Sequence, residues 1–257
     1  LRTIHLLLLL TSCSTLWAME FPLGQWYPLF HEMAQDKKFN WSKMAFTKGE
    51  EHDEVIIEAQ ARLYEFTPFI LATGKSVNLK RIPNGRALHA KTKFQFFGEK
   101  TVYEKPKEAL AAALVSLQGL TKISLKGPVD DKLKLQATLQ GVSPLQSLPK
   151  LIEGDCTSLV ALRKGPIEII TLNFSFPLKK APQSFNEKNH VALAKVLPQA
   201  SLNEEDGKLT FTALLPATAG QRAFIDLVGL LNLRQMSELS LRYDGTGARF
   251  AGKLINP

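Results

Sequence analysis

The chain has 257 residues, of which 45% are hydrophobic and 22% are charged. These values are typical of a folded globular protein and exclude a disordered chain. The formal net charge of +8 favours anionic partners, such as lipid headgroups, polyanionic glycans or nucleic acid. Of the two cysteines, Cys13 falls in an N-terminal apolar segment and Cys156 in the body, so no intrachain disulfide is expected in the body.

Residues 1–18 have the features of a secretion signal. A positive charge precedes an apolar run over residues 4–10, and small polar residues follow that run. The run is shorter than the roughly 20 residues that a membrane-spanning helix needs. We therefore predict an exported protein.

The N-terminal segment offers two processing sites. Residues 10–13 (LTSC) resemble a bacterial lipobox, in which Cys13 becomes the lipidated first residue. Cleavage after Ala18 instead gives a protein that begins at Met19, and an uncleaved anchor is a third alternative. The expected location is the periplasm, or an inner or outer bacterial membrane to which a lipid tethers the protein.

Residues 19–90 form an aromatic-rich segment, with a short helix predicted over residues 28–37. Aromatic side chains of this kind either pack a segment onto a sheet or anchor a partner at an interface. The candidate partner-binding residues are Trp26, Tyr27, Phe30 and Trp41.

The same segment contains a predicted strand over residues 55–63 and then a basic stretch. Residues 83–85 (PNG) predict a turn, which makes a hairpin of this stretch. The candidate anion-binding residues are Lys80, Arg81 and Arg86. An apolar run over residues 66–71 lies close by in the chain, so an amphipathic or anionic ligand is one interpretation. A solvated hairpin is the other.

Residues 91–177 are predicted to form a first unit. Alternating apolar residues predict strands near residues 93–96, 123–125, 133–139 and 167–176. The helix before the second of these strands has its apolar face at Leu110, Ala113, Leu114 and Leu117. A short helix is predicted over residues 144–152. The resulting β-α-β-β-α-β order is that of a ferredoxin-like plait.

Residues 208–257 are predicted to form a second β-α-β-β unit, after a connection over residues 178–207. The apolar face of its helix has the phase found in the first unit, at Phe224, Leu227, Val228 and Leu231. Agreement in element order and in phase predicts an internal duplication. The predicted fold class is α+β, with duplicated ferredoxin-like units and antiparallel sheets after an N-terminal segment with a short helix and strands.

Several segments resemble catalytic or metal-binding motifs and lack a required residue. In residues 31–35 (HEMAQ), Gln35 stands where a zinc motif needs its second histidine. Phe69 stands where a phosphate-binding loop ending at residues 72–76 (ATGKS) needs its first glycine. We predict no catalytic residue, metal site or cofactor. A hydrolase that uses Cys156 is the least favoured alternative.

Residues 223–254 carry a family resemblance. The segment AFIDLVGLLNLRQMSELSLRYDGTGARFAGKL resembles the end of the ferredoxin-like periplasmic domains in assembly-platform proteins of type IV pili and type II secretion. The resemblance implies a non-enzymatic protein-binding component of an envelope assembly and assigns no functional residue. The expected partners are envelope proteins, with anionic lipid or glycan in addition and no nucleic acid. The alternative is a binder or carrier of an amphipathic or anionic ligand.

Overall fold

The structure is a computed structural model, and it describes residues 26–36, 39–67, 69–70, 77–92, 111, 114–115, 117–129, 132–148, 156–177, 189–231 and 235–255. These residues form one 12-stranded sheet whose strand pairs are all antiparallel, with helices packed on one face. The predicted α+β class with antiparallel pairing is therefore confirmed.

The helices with defined ends are α1 (Trp26–Gln35), α2 (Asn189–Val196) and α3 (Ala217–Leu230). The strands are β1 (Asn40–Thr47), β2 (Asp53–Gln60), β3 (Val77–Ile82), β4 (Gly85–Thr92), β5 (Leu120–Val129), β6 (Lys132–Val142), β7 (Cys156–Lys164), β8 (Ile167–Pro177), β9 (Ser201–Glu205), β10 (Lys208–Leu215), β11 (Met236–Tyr243) and β12 (Ala248–Ile255). Two 3-10 turns span Leu63–Phe66 and Pro144–Ser147.

The strand order repeats along the sheet. It runs β3-β4-β2-β1-β7-β8-β6-β5-β11-β12-β10-β9. We define unit 1 as β1–β4, unit 2 as β5–β8 and unit 3 as β9–β12. In each unit two hairpins lie side by side in the order third, fourth, second and first strand. The units join where the first strand of one pairs with the third strand of the next, as in β1·β7 and β5·β11.

Helical segments recur at matching places in the units. Helix α1 precedes unit 1, α2 precedes unit 3, and the helical residues Ala111, Leu114 and Val115 precede unit 2. Between the two hairpins lie the two 3-10 turns in units 1 and 2, and α3 in unit 3. The repeat is therefore three four-stranded units, which differs from the predicted duplication of one β-α-β-β unit.

Alternating apolar residues decide which face of the sheet is buried. Along β6, for example, Leu133, Leu135, Ala137 and Leu139 are buried, and the residues between them face outward. A sheet patterned in this way has one apolar and one solvated face. In α3, the predicted face of Phe224, Leu227, Val228 and Leu231 is buried, as the helical phase requires.

Arg163 of unit 2 contacts both Trp41 of unit 1 and the buried carboxyl group of Glu168. The Arg163 guanidinium lies 4.8 Å from the centre of the Trp41 ring, and its Nη2 is 3.4 Å from Glu168 Oε1. The other carboxylate oxygen of Glu168 accepts the Leu145 N–H at 3.2 Å. Burial raises the pKa of Glu168, while the Leu145 hydrogen bond and the Arg163 charge act to lower it.

The predicted plait over residues 91–177 does not match the observed pairing. In a plait the first strand lies between the third and the fourth, but β6 pairs directly with β8 along its length and with β5 on its other side. The predicted strand at residues 93–96 lies outside the described residues. Strand β7 was not predicted. Residues 178–207, predicted as a connection with a short helix over residues 191–196, contain α2 and also β9.

Candidate anion-binding face

The face of the sheet opposite the helices, called the open face here, is polar where units 2 and 3 meet. Strands β5, β6, β11 and β12 lie side by side at this junction with β10 beyond them. Side chains alternate between the two faces of a strand, so the residues between the buried apolar positions form rows across the open face.

The first row consists of cations on three neighbouring strands. Lys122 stands opposite Arg242, and Arg242 stands opposite Arg249. All three side chains are exposed. With Ser240 and Thr212 they line a depression of about 490 Å³. We call these three residues the first cation row.

A second row lies four residues along the strands. Lys134 stands opposite Lys126, Lys126 opposite Glu238, and Glu238 opposite Lys253. Lys126 and Lys134 line a further depression of about 420 Å³. The second cation row is Lys134, Lys126 and Lys253, with Glu238 as an acidic residue within it. At strand spacing the two cation rows are about 13 Å apart.

Small polar side chains fill the space between the two cation rows. Gln136, Ser124 and Ser240 are in register across β6, β5 and β11. Gln136 Nε2 donates to Asn173 Oδ1 at 3.0 Å, and Asn173 Nδ2 donates to Ser158 Oγ at 2.8 Å. Ser124 is only 1% exposed, so this polar trough presents to solvent the Gln136 amide and the partly exposed Ser240 hydroxyl on either side of it.

The positive charge of the two cation rows is poorly compensated. Lys122, Arg242, Lys126, Lys134 and Lys253 make no ion pair with the residues that the structure describes. Like charges directly opposite one another destabilise a sheet. Such contacts occur at Lys122/Arg242, Arg242/Arg249 and Lys126/Lys134.

On the open face of unit 1, two cations are neutralised by carboxylates on the neighbouring strands. Lys43 Nζ lies 3.6 Å from Glu58 Oε1, and Lys91 Nζ lies 3.0 Å from Glu54 Oε1. Both pairs connect neighbouring strands. Among the described strands, cations that stand opposite one another in rows are therefore found on the open face at the junction between units 2 and 3, whereas Lys80 on β3 stands opposite Ala87.

One carboxylate restrains the first cation row. Asp244, in the turn between β11 and β12, accepts hydrogen bonds from the backbone N–H groups of Thr246 and Gly247 at 3.1 and 3.2 Å. Its Oδ1 also accepts from the Thr246 hydroxyl at 2.6 Å, and its Oδ2 pairs with Arg249 Nε. These interactions lower the pKa of Asp244, with the Thr246 hydrogen bonds and Arg249 as causes. Asp244 therefore fixes the position of Arg249.

The structure brings two of the three predicted anion-binding residues together and separates the third from them. Lys80 is on the open face of the edge strand β3, while Arg81 faces the other side, directly opposite Arg86 on β4. The hairpin and its turn are as predicted, with Asn84 at φ 62°. Because neighbouring residues in a strand point to opposite faces, Lys80 and Arg81 cannot contact one ligand together.

The predicted partner-binding aromatics belong to the core. Trp26, Phe30 and Trp41 are at most 2% exposed, and Trp26 stacks on Phe46 with ring centres 4.8 Å apart. Their interpretation as a docking surface was wrong, because α1 lies on the sheet with Trp26 and Phe30 turned inward, and Trp41 of β1 is buried as well. The side chain of Tyr27 lies outside the described residues, as does Cys13.

The remaining predictions concern catalysis, metals and membranes. Cys156 is 1% exposed, and its thiol donates to the Ser158 carbonyl at 3.2 Å.

Within the described ranges, no group of three or more His, Cys, Asp or Glu residues is placed to hold a metal ion. In the same ranges, no helix has the length and apolar character needed to cross a membrane.

A larger cleft, of about 890 Å³, lies on the helical side between α2 and α3. Its lining is largely aliphatic, with Lys195, Arg222 and Asp226 at its rim. Arg222 Nε and Asp226 Oδ2 pair with each other at 3.1 Å. The cleft therefore presents few polar groups available to orient a ligand, and we place the candidate site on the open face instead.

The cation rows were not predicted from the sequence because their members are far apart in the chain. A local signal is nevertheless present. Basic residues alternate with small ones on one face of the apolar strands, as in Lys122-Ser124-Lys126 and in Arg249-Ala251-Lys253. Register across β5, β11 and β12 is needed to assemble these triplets into rows.

No family model matches the chain, and no curated protein matches it. Among solved structures, it matches a putative DNA polymerase III beta subunit from Eubacterium rectale at 8% identity and a TM-score of 0.12, over 83% of this chain and 91% of that one. A DNA polymerase III beta sliding clamp from Bartonella birtlesii matches at 12% identity and a TM-score of 0.11, over 83% and 90%. These TM-scores are too low to indicate a shared fold.

Proposed function

We propose that the protein is a non-enzymatic binding protein that holds a polyanionic glycan across the open face of units 2 and 3. The observation that supports this proposal is the pair of cation rows with the polar trough between them. Charged groups of the glycan pair with the cations on either side. Sugar hydroxyls form hydrogen bonds with the amide and hydroxyl groups of the trough.

The polar character of this face favours a glycan over a lipid. An acyl chain needs apolar surface, whereas the trough and the depression beside it present Gln136, Ser240 and Thr212. An anion also relieves the repulsion between Arg242 and its two cationic neighbours. Binding is therefore expected to stabilise the folded protein, because a ligand of the native state alone raises the free energy of unfolding.

A direct test compares glycans of one length and different charge. Isothermal titration calorimetry is carried out with a sulfated dextran oligosaccharide, a carboxymethylated one and neutral dextran. We expect binding of the two anionic forms, weakening as salt is added, and none of the neutral form. Vesicles containing phosphatidylglycerol, run alongside, separate glycan binding from attraction to any anionic surface. Equal affinity for neutral and sulfated dextran would contradict the proposal.

A matched pair of variants locates the site. In the first variant, Lys122, Arg242 and Arg249 are all replaced by Gln. In the control, Lys43 and Lys91 on the open face of unit 1 and the exposed Lys164 in β7 are replaced by Gln, which removes the same number of positive charges. We expect the first variant to lose most of its affinity for sulfated dextran and the control to keep it. The proposal fails if both lose affinity equally, because the interaction then follows net charge alone.

Export and tethering form part of the same proposal. The signal-like residues 1–18 support secretion, and the lipobox-like residues 10–13 support lipidation at Cys13. The intact mass of the protein recovered from soluble and membrane fractions tests both. An acylated chain that begins at Cys13 indicates a lipoprotein, and a chain that begins at Met19 indicates a soluble envelope protein. An unprocessed chain recovered from the cytoplasm would contradict export.

A second candidate function is a component of an envelope assembly, as the resemblance of residues 223–254 implies. In unit 3, β10 and β11 are parallel and flank β12, with α3 connecting them. This split arrangement supports a ferredoxin-like origin for that unit. Crosslinking in intact cells followed by isolation of the protein tests the role, and recovery of a pilus or secretion protein in a stable complex would favour it. Recovery of the uncomplexed chain alone would count against it.

A further inference from the structure

The two edge strands of the sheet correspond to strands that pair inside the chain. Among the described residues, β3 at one edge and β9 at the other each pair on one side only. Strand β3 is the third strand of unit 1, and β9 is the first strand of unit 3. Inside the chain, first strands pair with third strands at both junctions, β1·β7 and β5·β11. The two edge strands, β9 and β3, therefore correspond to the two kinds of strand that pair with each other at both internal junctions.

The charges of the two edges are complementary. Strand β3 contains Lys80 and Arg81, and Arg86 follows in β4. Strand β9 ends in Glu204 and Glu205, with Asp206 in the turn that follows. Every residue of β9 is exposed. An exposed strand edge is a template for pairing with a further strand.

We propose that β9 of one copy of this chain pairs antiparallel with β3 of the next copy, so that the sheet continues from one molecule to the other. The contact repeats the internal junctions β1·β7 and β5·β11 between molecules. It is independent of the proposed glycan binding, because it uses the edges of the sheet rather than its open face.

The register follows from keeping the two faces of the sheet continuous. With the two strands fully overlapped, Asn203 stands opposite Lys80 and Glu205 opposite Asn78, all on the open face. Glu205 is then a diagonal neighbour of Lys80, within reach of a long side chain. On the other face Glu204 is the diagonal neighbour of Arg81. Glu204 Oε2 also lies 3.5 Å from His190 Nε2 in its own molecule, so we assign the main attraction to Glu205 and Lys80.

The contact is heterologous, because it joins two different edges. Such a contact does not stop at a dimer, and it produces either a closed ring or an open filament. Pairing of β9 with β9, or of β3 with β3, would instead place like charges together. The expected association is therefore head to tail, concentration-dependent and weakened by salt.

The test uses single charge reversals and their mixture. Sedimentation velocity is measured for the unaltered chain, for Glu205→Lys and for Lys80→Glu, over a range of protein and salt concentrations. We expect the unaltered chain to associate and each variant alone to associate at least about tenfold more weakly, because each places like charges together. An equimolar mixture regains association, since the unaltered β9 of the Lys80→Glu chain fits the unaltered β3 of the Glu205→Lys chain.

Control variants separate edge pairing from a change of net charge. Glu51 and Lys164 are exposed residues away from both edges. Glu51→Lys and Lys164→Glu are expected to associate as the unaltered chain does. A monomer at all concentrations, or association that both edge variants leave unchanged, would overturn the proposal. Failure of the mixture to regain association would overturn the head-to-tail arrangement.

Discussion

Phe211 covers Gly252 across the pair of strands β10 and β12. The two residues stand directly opposite each other, and a Cβ atom built on Gly252 would lie 2.2 Å from the tip of the Phe211 ring. The ring therefore occupies the space that a side chain at residue 252 would need. Phe211 is 2% exposed, so the packing of unit 3 holds it in place.

Gly252→Ala is expected to destabilise the protein by about 1–3 kcal/mol, the usual cost of forcing extra volume into a packed core. Urea unfolding followed by circular dichroism measures the change. Gly141→Ala is the matched control, because a Cβ at residue 141 has open space around it. The control is expected to be neutral or slightly stabilising, since alanine restricts the unfolded chain. Equal losses in both variants would show that the ring contact does not matter.

Arg242→Gln is expected to raise stability and lower affinity at the same time. The substitution removes the central cation of the first cation row, and with it two like-charge contacts worth roughly 0.2–1 kcal/mol each. It also removes a donor for the glycan, so we expect affinity for sulfated dextran to fall about tenfold, or by about 1.4 kcal/mol. Thermal unfolding at low salt, with and without the glycan, measures both effects. A lower unfolding temperature of the variant than of the unaltered chain, both without glycan, would contradict the repulsion inferred within the first cation row.

The sequence predicts those elements of the fold that depend on local patterns. Helix α3 was predicted because its apolar residues follow one helical phase, and β2, β5, β6 and β8 were predicted because theirs alternate. Strand β9 escaped detection because it is an edge strand with every residue exposed, so no alternation marks it. Strand β1 was not predicted either. Its residues Met44, Ala45 and Phe46 are buried in succession, and a register shift between Trp41 and Lys43 interrupts the alternation.

The candidate site was predicted less well than the fold, for a physical reason. A basic cluster along the chain, such as Lys80 and Arg81, is divided between the two faces of a strand. A cluster on one face needs residues two apart on each strand and a known register between strands. Lys122 and Arg242 are opposite each other only because β5 pairs with β11, the third strand of another unit. Long-range pairing of this kind leaves no mark in a single sequence.

Asp244→Asn is expected to strengthen anion binding and to weaken the fold at neutral pH. Asn lacks the charge that holds Arg249, so the potential of the first cation row becomes more positive. The carboxylate interactions that lower the pKa of Asp244 stabilise the folded state above its ordinary value of 3.8 and are lost as the pH falls. Titration with sulfated dextran and urea unfolding at pH 7 and pH 3 measure the two effects. Unchanged affinity would show that Asp244 does not restrain Arg249.

Glu168→Gln is expected to flatten the pH dependence of stability in the acid range. Burial raises the pKa of Glu168 above its ordinary value of 4.5, so the folded protein retains a proton that the unfolded chain has already released. The contribution of this residue to the free energy of unfolding therefore falls as the pH rises from 4.5 towards the raised pKa. The Glu168→Gln variant has no group that titrates at this position, so it does not show this fall. Urea unfolding from pH 4 to pH 8 gives the two profiles. Arg163→Met supplies a second comparison, because removal of the cation raises the pKa of Glu168 further and extends the loss to higher pH. Parallel profiles for the unaltered chain and both variants would show that Glu168 is ionised throughout, with its charge fully compensated by the Leu145 N–H and Arg163.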